Sequence, residues 1–374
     1  MLSPAEKQEK IIRSTDLDAL SCRFSANNKS YFAPPDPYID VLIKSYRSYL
    51  HYCAGYSNLS ANRTLKSSFG EKKMPLINRG TYFRTKLINL IIDEFIQEFG
   101  KCQIISLGGG SDTRCFHYLA NSNVTYHEID FPESAKIKLL AIFGNASLKE
   151  IVQYNEDRDR DFEINSKEDF ENYESELHTN NYHLYGMDLR QLKDFSIGEA
   201  KFLPYVNTSL PTLILSECAL CYVSPLENEQ IVKFWNNFFQ KSNCVLAFLT
   251  YEPMSLDDPF GVTMKDNLSK RGINLLTFNE FPTLQSRCDF LFSVCHLKNI
   301  RLTDMCDIGG YGNESPWIDN EELLRINKLE LIDEVEEIRL LLKHYCICYG
   351  EMSRSNVKRF KGIDNWRWLI KRDT

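Results

Sequence analysis

Residues 104–114 read Ile-Ile-Ser-Leu-Gly-Gly-Gly-Ser-Asp-Thr-Arg, an apolar run that breaks into three glycines and then a helix start. Glycines permit positive φ and let a ligand approach the backbone closely. The helix that follows exposes free N–H groups in its first turn. Asp130 lies 22 residues after Gly108, at the end of the next apolar run. A carboxylate there is placed to accept hydrogen bonds from both ribose hydroxyls of a bound nucleoside. Two further acidic residues follow the same logic. Asp188, in Gly186-Met-Asp-Leu189, could hold an adenine amino group. Glu217 ends Thr212-Leu-Ile-Leu-Ser-Glu217 and could face a cofactor ammonium. Ligands of parallel α/β sheets sit beyond the carboxyl ends of the strands. The alternatives are a tight turn without ligand and, for Glu217, a helix cap.

A dinucleotide site shares this plan but wants a third glycine where the pyrophosphate meets the helix. Thr113 stands there, and Asp112 would sit unfavourably beside a diphosphate. S-adenosylmethionine has no phosphate and carries an ammonium and a sulfonium, so acidic residues around the loop suit it better. Cys218-Ala-Leu-Cys221 has redox spacing but no second metal pair, and reads as core or loop cysteine. The histidines show no ligand spacing, so no metal is expected.

The elements that must position these residues alternate between strand and helix. Strands are predicted at Gln103–Leu107, Val124–Ile129, Thr212–Ser216, Cys244–Thr250 and Tyr345–Tyr349. Helices are predicted at Pro132–Phe143, Glu227–Gln240, Val262–Arg271 and Leu329–Leu342. This alternation means an α/β fold, a mostly parallel sheet with helices on both faces. Ahead of it, residues 15–60 read as amphipathic helix, with Asp36-Pro37 starting a helix through Ile39, Leu42, Ile43 and Tyr46. Residues 61–80 read as a polar loop, and 83–99 as a helix stopped by Gly100.

The chain has 374 residues, 43% hydrophobic and 25% charged, an ordinary globular composition. Its net charge of −7 argues against a nucleic-acid-coating protein. Met1–Arg13 lacks the apolar core of a signal peptide, and no apolar run approaches the ~18 residues of a membrane span. Twelve cysteines are too dilute for a disulfide scaffold, which points to a reducing compartment, the cytoplasm. Residues 150–183 hold eleven acidic and three basic residues and read as a mobile insertion, or else as a solvated helix. The tail from Glu351 reverses the balance, with seven Lys/Arg, three acidic residues, Trp366 and Trp368. It either packs its tryptophans on the body or contacts a partner.

Segments in order along the chain resemble the leucine carboxyl methyltransferases, which methylate the C-terminal leucine of the protein phosphatase 2A catalytic subunit. They are Asp18-Ala-Leu-Ser-Cys-Arg-Phe-Ser-Ala26, Asp36-Pro-Tyr-Ile39, Ile77-Asn-Arg-Gly80 with Arg84, and the glycine loop Ser106–Arg114. Glu128-Ile-Asp-Phe-Pro132, Asp188-Leu-Arg190, Leu215-Ser-Glu-Cys-Ala-Leu-Cys-Tyr222, Tyr251-Glu252 with Asp258-Pro-Phe-Gly261, and His344-Tyr-Cys346 complete the set. The loop alone is generic; the Asn-Arg-Gly, Ser-Glu-Cys and Asp-Pro-Phe-Gly segments together are specific.

The resemblance implies one class I S-adenosylmethionine-dependent methyltransferase domain over 1–374. It would have a helical lid at 15–100, a Rossmann-like seven-stranded core at 101–350, the acidic insertion at 150–183 and the basic tail at 351–374. Arg23 and Arg84 would bind the methionyl carboxylate, Gly108 would lie under the cofactor and Asp130 on its ribose. Asp188 and Leu189 would flank the adenine, and Glu217 would meet the amino-acid end. Arg79 and Tyr222 are the candidates for the substrate carboxylate, although Arg79 could instead pair with Asp112 or Glu217, and Tyr222 could be core. The partner would be the phosphatase tail, with no nucleic acid or membrane and the protein monomeric. The nucleophile would be a terminal carboxylate, ionised at neutral pH with a pKa of about 3.3–3.7, so no general base is needed. The alternatives are a tRNA wybutosine-precursor or small-acid methyltransferase, or a non-catalytic phosphatase-binding module.

Overall fold

The computed structural model describes residues 4–120, 123–154, 163–312, 316–352 and 357–373. Among the described residues nine strands follow in chain order: β1 (Cys102–Leu107), β2 (Val124–Asp130), β3 (Leu177–His178), β4 (Tyr182–Gly186), β5 (Thr212–Glu217), β6 (Leu246–Pro253), β7 (Leu297–Asp304), β8 (Tyr345–Met352) and β9 (Ile370–Arg372). Two of these, β3 and β9, are short additions to the seven expected. The chain forms two compact units, one of Met1–Met74 with Gly109–Asp188, the other of Pro75–Gly108 with Leu189–Thr374. The chain passes between them at Met74–Pro75, at the glycine loop and again at Asp188–Leu189.

The first unit opens with α1 (Pro4–Asn28) and α2 (Tyr38–Tyr49). Asp36 starts α2 by accepting the Tyr38 N–H through Oδ1 at 2.9 Å, and the helix buries Ile39, Leu42, Ile43 and Tyr46, the stripe its spacing predicts. Residues 61–80 are not the expected loop. All but 71–74 lie in α3 (Asn58–Gly70) or in the start of α4 (Pro75–Phe99), which belongs to the second unit. A reciprocal Ser57–Ser60 capping box starts α3, and Ala61, Leu65 and Phe69, four residues apart, face the core. Further on come α5 (Arg114–Leu119) and α6 (Pro132–Phe143). β2 and β4 run parallel with Asp130 opposite Gly186, and α6 packs on β4 and α2. Of the acidic stretch 150–183, residues 155–162 lie outside the described residues. Beyond them the helix Lys167–Asn172 starts on a Ser166 capping box and buries Phe170.

In the second unit β1, β5 and β6 pair in parallel, with Leu107 opposite Ser216 and Glu217 opposite Tyr251. β8 then pairs antiparallel with β6 and β7, and β9 with β7. Parallel pairing thus dominates around the candidate residues, as an α/β fold requires. α4 ends at Gly100, whose φ of +68° only glycine adopts cheaply. No described helix is long and apolar enough to cross a membrane.

The described part of the tail packs against its own unit. Trp317 meets Trp366 and Trp368 edge-on at 5.2 and 4.9 Å. The Trp368 indole N–H donates to the Ile363 carbonyl at 2.8 Å, and the buried Arg301 pairs with Asp364 and Asp373. Trp368→Ala should lower the unfolding free energy by about 3 kcal/mol, read as a shift of the urea midpoint. A midpoint unchanged from wild type would mean that this cluster does not stabilise the fold.

Candidate functional site

The candidate residues fall into two sets, one in each unit, and the glycine loop is shared between them. In the second unit β1 is buried throughout and ends at Gly108, which takes a φ of +71°. A side chain there would also collide with Ala219, the second residue after Glu217. Gly108 therefore answers both a backbone and a packing demand.

In the first unit the loop backbone is held by two carboxylates. Asp130, half-buried at the end of β2, accepts the Gly110 N–H through Oδ2 at 2.6 Å and the Phe131 N–H through Oδ1 at 2.7 Å. Asp16 on α1 accepts the Ser111 N–H at 2.7 Å and the Ser111 hydroxyl at 2.6 Å, and the Tyr46 hydroxyl donates to it as well. Gly110, with a φ of +42°, lies so close to Asp16 that a Cβ would overlap the carboxylate. Burial pushes the Asp130 carboxyl up to about 7 and the nearby Asp16 charge adds to this; the Phe131 and Gly110 N–H groups and Lys138 oppose it. The Met187 N–H donates to the Asp130 carbonyl at 2.8 Å, which ties the end of β4 to that of β2. Asp188 follows, half-buried. Asp16 was not among the expected site residues. One acid within an amphipathic helix reads as solvated surface, and its partner is 95 residues away.

Arg23 also lies on α1. Its guanidinium donates to Asp112 at 2.9 Å, to Thr113 Oγ1 at 2.9 Å and to Asp36 at 3.3 Å. Asp112 is shared with Arg114. Burial works to raise the Asp36 pKa, but the contacts with His117, Arg23 and Thr113 prevail and hold it well below the usual carboxylate range. Arg23 is thus embedded in acids of its own unit, with its side chain 11% exposed. Below this network the buried Lys138 donates to Glu128 and to the Asp112 carbonyl, each at 2.7 Å.

In the second unit Arg84 on α4 pairs with Glu217 at the end of β5. Its guanidinium lies over the Tyr251 ring at 5.0 Å, and Tyr251 stacks on Tyr345 at 5.5 Å. Burial acts to lower the Arg84 pKa, but the Glu217 charge and hydrogen bond together with Cys218 and Tyr251 prevail and hold it well above normal. Cys218 turns the chain away from the strand with a φ of +53°, and its N–H donates to the Tyr251 carbonyl at 2.8 Å. A short turn, Leu220–Tyr222, follows and leaves Tyr222 half-buried. Leu189 begins another short turn, also half-buried.

Arg79 lies five residues before Arg84, about 140° around the helix, and meets a different environment. It is 2% exposed and donates to the Tyr311 hydroxyl at 2.9 Å, Asn327 Oδ1 at 2.7 Å and the Ile326 carbonyl at 3.1 Å. Beside it Asn78 donates to Glu330 at 2.9 Å, and Tyr82 to Glu322. Together these residues pin the segment around Asn320–Asn327 to α4. The structure therefore joins Arg84 with Glu217, and Asp130 with the glycine loop, while Arg79 sits among carbonyl and hydroxyl acceptors. Among the described residues no group of three or more His, Cys, Asp or Glu side chains is arranged to hold a metal.

Comparison with known proteins places the whole chain. A Leucine carboxyl methyltransferase 1 of Debaryomyces hansenii is 58% identical over 99% of this chain and 100% of its own length. The Candida albicans protein of that name is 53% identical over the same shares, and the Yarrowia lipolytica one 35% identical over 92% of this chain and 98% of its own. A solved DUF574-family protein from Streptomyces avermitilis aligns with a TM-score of 0.46 and 8% identity, covering 82% of this chain and 96% of that one. Residues 11–236 match the leucine carboxyl methyltransferase family model, and the chain belongs to that family of carboxyl-methylating enzymes.

Proposed function

We propose that the protein methylates the α-carboxylate of the C-terminal leucine of a protein phosphatase 2A type catalytic subunit. The donor is S-adenosylmethionine, the product is a leucine methyl ester, and the enzyme works as a monomer in the cytoplasm. The observation that carries the donor assignment is the capping of the Gly110 and Ser111 N–H groups by Asp130 and Asp16. Those donors are what a diphosphate would need. With carboxylates on them, the loop suits a ligand that brings hydroxyl donors and positive charge.

S-adenosylmethionine supplies a methyl group on a sulfonium, which a carboxylate oxygen can receive without a general base. In this reading Asp130 holds the ribose, Asp188 and Leu189 the adenine, and Gly108 lets the backbone come close. Arg84 and Glu217 receive the amino-acid end, its carboxylate and its ammonium. Arg23 contributes by neutralising Asp36 and Asp112 at the loop. Tyr222 meets the substrate carboxylate, and Arg79 orders the helices against α4. The work of the site is to align two reactants and to exclude water while opposite charges are neutralised.

The test is transfer of labelled methyl to a phosphatase catalytic subunit, intact and lacking its terminal leucine. Base-labile label on the intact protein alone is expected; equal labelling of both would overturn the acceptor assignment.

Donor affinity should also depend on pH through Asp130. Its folded pKa is raised to about 7, and the ionised form is the one that accepts from ribose hydroxyls. Affinity measured by calorimetry should rise through neutral pH and level off above it. Asp16→Asn removes the adjacent charge and should move that rise to lower pH. An unmoved midpoint would mean that Asp16 does not act on Asp130. Arg84→Met should weaken donor binding at least ~tenfold; unchanged affinity would refute its role.

A further inference from the structure

The Glu217–Tyr222 loop has an underside that the proposed chemistry leaves unexplained. β6 is buried along its whole length, and successive side chains of a strand point to opposite faces. Tyr251 meets Arg84 on one face, so Thr250 and Glu252 turn to the other. There they line a cavity of about 40 Å³, together with Asn228, Thr277, Arg287 and Cys348. That is room for ordered water and not for a substrate.

Glu252 is 2% exposed, and neither carboxylate oxygen has a partner of normal hydrogen-bond geometry among the described residues. The same holds for Thr277 Oγ1 and Arg287 Nε. Burial pushes the Glu252 carboxyl up to about 7 against the pull of Arg287, the Cys221 thiol, Arg84 and the Leu220 N–H. The Cys218 and Cys346 thiols also feel its charge. An apolar side chain of similar volume would serve stability at least as well, so packing does not explain a glutamate here. The other underside contacts hold the same loop. Asn228 Nδ2 donates to the Leu220 and Val223 carbonyls at 3.0 and 3.1 Å, and the Leu276 N–H donates to the Cys221 carbonyl at 2.7 Å.

We propose that Glu252 is a positioning residue: from beneath, across the cavity it shares with Leu220, it sets the loop that carries Glu217 and Tyr222, with cavity water completing its hydrogen bonds. This rests on the roles given above to Glu217 and Tyr222. Glu252 itself touches neither reactant.

The test uses the full chain with Glu252→Gln and Glu252→Leu, with methyl transfer followed from about pH 6 to about pH 8 and thermal unfolding measured alongside. The ionised carboxylate is the stronger acceptor, and glutamine mimics the neutral acid. The Gln variant should therefore match wild type within about threefold in kcat/KM at the acid end and fall about tenfold behind at the alkaline end. The Leu variant should raise the substrate KM at both ends while remaining folded. A purely structural role would leave the ratio of wild type to Gln constant with pH, and that result, or an unchanged KM in a folded Leu variant, overturns the proposal. If Leu does not fold, the Gln profile decides alone. Wild type that fails to label a leucine carboxylate would refute the function reading instead, and donor affinity of the Gln variant, read by calorimetry across the same range, would then decide for Glu252.

Discussion

Two carboxylates on one glycine turn set the terms for the first unit. Asp16 and Asp130 hold adjacent backbone N–H groups, those of Ser111 and Gly110, and their mutual repulsion helps keep the Asp130 pKa high. Such an arrangement persists only where backbone donors offset the repulsion. It also determines what lies alongside. Asp16 and Arg23 stand seven residues apart on α1, two turns and therefore one face. Asp16 meets Ser111, and Arg23 meets Asp112 and Thr113. One helical face thus offers an acid and then a base to consecutive loop residues. Pro132 at the start of α6 and the Met187 N–H on the Asp130 carbonyl fix the strand end from the other direction.

The second unit is organised by an ion pair of the opposite kind. Arg84 and Glu217 are partly buried, with side chains 25% and 15% exposed. A pair so placed is weak evidence for stability, because desolvation offsets much of the attraction. Its surroundings hold it in one geometry: Tyr251 lies under the guanidinium, and Cys218 is bound to the Tyr251 carbonyl in a left-handed conformation. A non-glycine residue with positive φ next to a strand end is the kind of local cost that surrounding contacts must sustain. Here the sustaining contacts come from β6, whose far face carries Glu252.

Much of this could be read from the chain alone, for identifiable reasons. Strand, glycine turn and acidic strand end obey local rules of period and spacing, so Gly108, Asp130 and Glu217 lie where alternation puts them. The ion pair of Arg84 with Glu217 was not legible, since the two residues are 133 apart; the family resemblance placed each at the amino-acid end of the donor but did not pair them. Asp16 was illegible because nothing local marks it. The contacts of Arg79 were equally illegible, because its acceptors lie 232 to 248 residues further on. The loop expected at 61–80 failed differently. Its polar composition masked a capping box and a four-residue apolar spacing that needed only Ala61, Leu65 and Phe69.

The Arg84–Glu217 pairing bears on how the proposed reaction could be fast. An arginine facing a substrate or donor carboxylate with its full charge would bind the ground state strongly and draw electron density from any oxygen that must act as nucleophile. Binding spent in that way does not lower the barrier. Glu217 already pairs with the Arg84 charge, so the guanidinium can orient a carboxylate through directed N–H groups while holding it less tightly. In the first unit Asp16 and Asp130 supply acceptors to the loop, and Lys138 and Arg23 keep the acids around them from accumulating unopposed charge. Each unit thus presents paired rather than naked charge. The proposed reaction, which joins a cation to an anion, gains from paired charge, because the reactants lose their charges in the transition state and a strongly charged wall would favour the state before it.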